Sequence, residues 1–281
     1  MPADTGLFGP SSVTWQLHAD PAMGLAGVRA LYLQALHPLA VRGAYQHSTF
    51  KQDPLGRLWR TGDFVGIVTY GTTAQAEQAG ARVRAIHRRL RGVCPETGRR
   101  FPLNLPELLL WVHCAEVSSF LTVVRHAGLR LTDEQADRYV VEQHRAAALV
   151  GLDQRDVPGT VSELDSYFDR IRPQLRAVPE SHDVMAFLRR PPASGWQVVP
   201  RLAWTQLSTV AYSLLPRWAQ DLYGHRGLPE PAATALLRVI RRTALTVPDR
   251  LRWNACAPRI TEAVTRLGEA TTPSIDQLSA A

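Results

Sequence analysis

A chain of 281 residues with 45% hydrophobic and 20% charged residues can bury a large core, which excludes a disordered or fibrous protein. The formal net charge of +7 would suit a nucleic-acid partner, but Lys51 is the one lysine, the arginines are spread along the chain, and no nucleic-acid motif is present, so nucleic acid is not expected. Three cysteines, Cys94, Cys114 and Cys256, lack the paired spacing of a disulfide framework or thiolate metal site. With no basic-then-apolar leader and no uninterrupted apolar run of about 18 residues, they point to a cytoplasmic protein without a transmembrane segment, peripheral membrane contact through the arginine-rich C-terminal helices being left open.

Taken in order, the chain punctuates itself with helix signals. After a short helical segment around Val13 to His18, Asp20 and Pro21 supply a cap and a first-turn proline for MGLAGVRALYLQALH. Pro38 ends that helix and opens LAVRGAYQH. Asp53 and Pro54 repeat the device for a helix stopped by Gly71, and Thr73 caps the next, which fades at Gly92. The connector CPETGRRFPLN leads to LPELLLWVHCAEVSSFLTVVRHAG, which is apolar on most faces, as a central pillar surrounded by other helices must be. Thr132 with Gln135 and Thr160 with Glu163 form capping-box patterns that start TDEQADRYVVEQHRAAALVG, closed by Gly151, and TVSELDSYFDRIRPQL, which carries Pro173. Pro191 to Gly195 has the most linker-like composition. Beyond it come the proline-bounded runs RLAWTQLSTVAYSLLP, RWAQDLYG, EPAATALLRVIRRTALTVP and DRLRWNACAPRITEAVTRLG. No stretch alternates with period two beside a hairpin signal, and no repeat is found. The fold class is all-α, with one large domain over residues 1–270 and a disordered tail over 271–281.

The chemistry concentrates in the two helices from Pro54 to Gly92. At about 100° per residue, Arg57, Thr61, Phe64 and Val68 share a stripe, so an arginine and a threonine head a line that should face inward. In the next helix Ala79, Val83, Ile86 and Leu90 form the apolar stripe, with His87 on its shoulder beside Arg84 and Arg91. Such a combination fits an anionic guest liganded by imidazole.

Other chemistries lose their support. The chain has no GxxxxGK[ST], no dinucleotide-binding glycine fingerprint, no HExxH, no GxSxG and no CxxCH. What remains is a set of histidines on or near apolar faces: His37, His47, His87 and His113. His113 has Leu109, Leu110, Val117, Phe120 and Val124 on its face, and Glu116 is its natural neighbour. Structural roles weigh against each singly. A lone histidine on an apolar face is more often a bonded core residue than a ligand, His37 before Pro38 can serve a helix end, His113 and Glu116 can be a buried polar pair, Arg57 can pair with Asp63, and Thr61 can bond back to its own helix. Jointly these readings weaken, because all the polar groups of the stripes fall in two consecutive helices.

The residues ALHPLAVRGAYQHSTFKQDPLGRLWRTGDFVGIVTYGTT, with ARVRAIHRRLRG and ELLLWVH, resemble the oxygenase family of latex clearing protein and the MpaB enzyme, over roughly residues 9–270. The resemblance implies an all-helical, globin-like multi-helix bundle holding a non-covalent haem b, with an axial histidine on iron and an Arg/Thr pair nearby. By it Arg57 and Thr61 match the RxxxT pair, His87 is the axial ligand, and His37, Arg84 and Arg91 are further cofactor contacts. Arg60 stands where rubber-cleaving members carry a lysine, and no glutamate upstream of Arg57 matches their proposed catalytic base. Arg57, Arg60, Thr61 and His113 are the implied catalytic set. The implied activity is a haem b-dependent oxidoreductase that acts with O2 and an electron donor on a small hydrophobic, isoprenoid-like substrate, by oxidative double-bond cleavage. The rival functions are a haem-carrying sensor or storage module and a haem-free helical protein that binds lipid or a partner.

Overall fold

A computed structural model describes residues 3–47, 54–190, 198–247, 256–274 and 276–279, and the chain is all-α. The local capping signals position most helices. Ser12 accepts from the Trp15 N–H to start α1 (Val13–Leu17), and the Asp20 carboxylate accepts from the Ala22 N–H just ahead of α2 (Met23–Gln34). Proline opens α3 (Pro38–His47), α4 (Pro54–Tyr70) and α6 (Pro106–His126). Complete capping boxes start α5 (Thr73–Arg89), from Thr72 and Gln75, and α7 (Asp133–Glu142), from Thr132 and Gln135. Thr72 is therefore the cap, one residue before the Thr73 expected. The chain continues through α8 (His144–Val150), α9 (Val161–Ile171), α10 (Pro179–Arg189), α11 (Val198–Ser213), α12 (Arg217–Leu222), α13 (Glu230–Thr246), α14 (Ala257–Leu267) and α15 (Asp276–Ser279).

Three local expectations change. The stretch from Thr132 to Gly151 is two helices, α7 and α8, meeting at Gln143, and Gly151 closes the second with φ of 97°. The connector after α5 is a β-hairpin, β1 (Arg91–Val93) antiparallel to β2 (Arg100–Pro102), with Gly92 opposite Phe101. A Cβ on Gly92 would stand 2.3 Å from the Phe101 ring, so the strand needs glycine there. These strands are three residues long, too short for period-two patterning to register. The expected disordered tail contributes α15, whose Leu278 is buried, and the carbonyl of Thr271 accepts from the Trp15 indole at 3.0 Å. Apolar burial and long-range hydrogen bonds from Trp15, Gln16 and Gln135 hold that segment. The Asp53 cap and the Pro191 to Gly195 linker lie outside the described residues.

The pillar is α6. By length and composition it could cross a membrane, yet more than half of it is buried inside the fold, with α2 packed along it. Trp111, Ala115 and Val123 of α6 meet Ala26, Tyr32 and Leu33 of α2 in one core, which α11 completes with Val210, Ala211 and Tyr212. Long-range polar ties fix the periphery. Glu142 of α7 accepts from the N–H groups of Val13 and Thr14 at 3.1 and 2.8 Å, so a carboxylate distant in sequence caps α1. Arg241 of α13 clamps Asp20 at 2.7 Å.

Candidate functional site

Four helices, α4, α5, α6 and α8, converge on one region. Phe64 of α4 and Ala76 of α5 pack with Ala146 and Leu149 of α8, while Leu109 of α6 packs with Ala147 and Val150. Gly80 and Arg84 of α5 both reach Leu149, Arg84 by donating to its carbonyl oxygen.

Burial along α4 rises toward its C-terminal end. Trp59 is 41% exposed and Arg60 and Thr61 are exposed, Phe64 is half-buried, and Val68 is buried. The expected inward stripe thus holds from Phe64 onward, and Thr61 stands on the surface. Arg57 lies on α4 with its side chain outside the described residues. Asp63, its expected structural partner, is bonded by Arg259 of α14 at 2.9 Å.

In α5 the covered face is rotated from the expected one. Ala76 and Gly80 are buried, whereas Ile86 is 49% exposed and Ala79, Val83 and Leu90 are only half-covered. His87 lies at helical spacing from Ala76, Gly80 and Val83, about one turn beyond Arg84, which meets the end of α8. The cause of the rotation is Gly80: a residue without a side chain lets α8 approach closest there. His87 is half-buried, its Nδ1 is sealed from solvent with no hydrogen-bond partner, and burial holds its pKa below the ordinary value. Arg84, committed to the end of α8, and Arg91, exposed and bonded to the carbonyls of Arg88 and Leu90, are engaged with backbone.

On α6, His113 and Glu116 keep some accessible surface but titrate as interior groups. Burial, with a smaller contribution from His144 of α8, lowers His113 to about 4, and burial raises Glu116 to about 7. No hydrogen bond engages either side chain among the described residues. They are therefore not the bonded buried pair that a purely structural role requires. His144, which carries no signal in the sequence, stands near His113 at the start of α8 and donates its Nε2–H to the Pro158 carbonyl at 2.9 Å.

The other histidines have structural employment. His37 is buried against Trp111, and its Nδ1 accepts from the Ala40 N–H at 3.4 Å, so it serves the start of α3 instead of a loose carbonyl. His47 is exposed and bonds the Arg91 carbonyl at 2.9 Å. His18, also missed in the sequence, is fully buried between Thr69 at 2.9 Å and Tyr139 at 3.1 Å, and burial holds it neutral with a pKa of about 3. His87 on α5 and His113 and Glu116 on α6 thus lie on two helices that both pack against α8. His37 and His47 lie elsewhere. A cavity of about 770 Å³ on the opposite side of α6 contains none of the expected site residues.

An imidazole that is neutral, interior and unbonded offers a nitrogen lone pair to a ligand, and a single such group is all that a haem iron requires from the protein on one face. His87 fits that requirement. No curated protein and no solved structure matches the chain. One family does, over residues 15–246: "ER-bound oxygenase mpaB/B'/Rubber oxygenase, catalytic domain". That span includes α2 through α13 with every helix of the convergent region, and the chain belongs to this family of oxygenase catalytic domains.

Proposed function

We propose that the protein is a haem b-dependent oxygenase whose iron is held by His87 and whose substrate is a small hydrophobic molecule. The observation that carries this reading is the half-buried imidazole of His87, whose Nδ1 is sealed from solvent without a hydrogen-bond partner. Burial of a polar nitrogen without a partner is costly, and a ligand that engages the ring removes the cost. Among the described residues no three His, Cys, Asp or Glu stand together to cage a metal ion, so iron here would draw most of its ligands from a macrocycle. When bound, haem supplies the redox and dioxygen chemistry.

The chain's own residues do the rest. Phe64, Leu109 and Ala146 give an apolar lining that excludes water and suits a hydrophobic, isoprenoid-like substrate. Glu116, raised to about 7, exchanges its proton near neutral pH and so can deliver or accept one at the cleft, with neutral His113 one helical turn away. By the family likeness, Arg57, Arg60 and Thr61 in the first half of α4 would supply cationic and hydroxyl donors to carboxylate substituents of the cofactor. Arg84 and Arg91 each spend donors on backbone carbonyls and keep others for a cofactor carboxylate. Turnover would draw electrons from an external donor. The test is the visible spectrum of the purified or haem-reconstituted protein. A Soret band at roughly 400–420 nm is expected of histidine-ligated haem, and a protein that takes up no haem refutes the reading.

A further inference from the structure

Among the described residues, the arginine of α2 is a buried cation with no carboxylate bonded to it. MGLAGVRALYLQ is otherwise free of charge, yet Arg29 lies at its centre on the buried side, 3% exposed. Its Nε donates to the Leu214 carbonyl at 2.9 Å and its Nη1 to Ser119 Oγ at 2.7 Å. A guanidinium has five N–H donors, so about three are left. Among the described residues no carboxylate pairs with Arg29 and no partner meets its Nη2. Burial lowers its pKa to about 9, which leaves it cationic at neutral pH. A buried cation bonded only to a carbonyl and a hydroxyl lacks the anion that would offset its desolvation.

Arg29 also lines the cavity of about 770 Å³, a volume in the range of small-molecule sites. The other charged side chains around this cavity, including Asp165, Arg217 and Glu230, are exposed, so water screens them. Two more are already paired, Arg172 with Asp169 at 2.6 Å and Arg226 with Asp221 at 2.5 Å. Arg29 alone forms a desolvated charge at the floor. Above it the walls are apolar, from Leu33, Phe168, Trp218 and Leu228, with Ser118 and Thr122 on the α6 side. The loop wall is rigid: Gly227 presses on Ser213, where a Cβ would stand 2.7 Å from the Ser213 Cα, and Gln220 accepts from the Gly227 N–H at 2.9 Å.

We propose that Arg29 is the floor of a second binding site, across α6 from the oxygenase cleft, which takes a small amphipathic anion: a carboxylate or phosphate head on an apolar body. The head would fill the open donors of Arg29, and the body would lie against Phe168 and Trp218. This site does not depend on the haem reading.

Calorimetric titration of the protein as purified tests it with octanoate, octyl phosphate, 1-octanol and inorganic phosphate. Saturable binding of octanoate or octyl phosphate near one per chain is expected, at least about tenfold tighter than 1-octanol, as a charge-assisted guanidinium contact implies. Octanoate against octyl phosphate identifies the head. Arg29→Met should weaken that binding by about tenfold or more. Thr122→Glu, which sets a carboxylate in the same cavity, should abolish it with an unchanged circular dichroism spectrum, and it decides the matter if Arg29→Met does not fold. The proposal is overturned if neither amphipathic anion binds, if 1-octanol binds as tightly, if inorganic phosphate alone binds, or if a folded variant binds like the unsubstituted protein.

Discussion

Gly80 of α5 lies directly against Leu149 of α8: a Cβ built on the glycine would stand 2.8 Å from the Leu149 carbonyl oxygen and 3.0 Å from its Cβ. The same carbonyl accepts from Arg84 one turn further along α5. Backbone cannot swing aside as a side chain does, so Gly80→Ala should force the two helices apart. We expect a loss of roughly 1–3 kcal/mol, as for overpacking, even though alanine is the better helix former. Haem uptake should weaken with it, because His87 rides on the displaced helix. Chemical denaturation and haem titration of the variant check both, and a variant at least as stable as the parent would mean that α8 has room to move.

His87 and His113 should separate when each is replaced by alanine. Neither makes a hydrogen bond among the described residues, so each substitution should change apo stability by no more than about 1 kcal/mol. His87→Ala should lose the Soret band or hold haem weakly. His113→Ala should keep haem stoichiometry in the pyridine haemochrome assay while altering turnover. The reverse pattern, with haem kept by His87→Ala and lost by His113→Ala, would transfer the axial role to α6.

Glu116 gives the apo protein a particular pH dependence. Its carboxyl holds a proton up to about 7 in the folded chain, against 4.5 as the ordinary value, so the folded state binds more protons between those limits. Stability from this group is present below about 4.5 and is lost as pH rises to 7. Glu116→Gln should therefore be more stable than the parent at pH 8 by on the order of 1–3 kcal/mol, and equal to it near pH 4. His113 contributes with the opposite sign, losing stability as pH falls from 6.5 to about 4. Urea midpoints at both pH values decide; a difference independent of pH would show that Glu116 is solvated.

Glu142 serves the fold rather than the cleft. It accepts from Val13 N–H, from Thr14 N–H and from Thr14 Oγ1, and Arg138 approaches it at 3.2 Å. Glu142→Leu would leave two backbone donors buried without acceptors, at roughly 2–4 kcal/mol. The melting temperature should fall while haem affinity in the remaining folded protein is unchanged. A spectral change at unaltered stability would instead connect α7 to the site.

Helix punctuation was legible because it is local. Thr132 with Gln135, Gly151 and the first-turn prolines act within a few residues of themselves, and the structure uses them where the sequence places them. The central position of α6 was equally plain, since a helix apolar on most faces must be surrounded. Which side of a helix is covered is another matter, for it depends on neighbours that approach from elsewhere in the chain. Periodicity placed Ile86 inward, but α8 covers α5 at Ala76 and Gly80 and Ile86 meets solvent. That Arg84 also bonds the carbonyl at the end of α8 could not be read from α5 alone. Arg29 carried a local signal, one charge in an otherwise uncharged helix, whose meaning rests on a cavity assembled from α2, α6, α9, α12 and the loop before α13. Sequence alone thus determined the helices, the pillar and the family likeness. Tertiary packing decided which polar groups are spent on the fold and which are left unbonded for a ligand, because only packing brings distant donors and acceptors within hydrogen-bond reach.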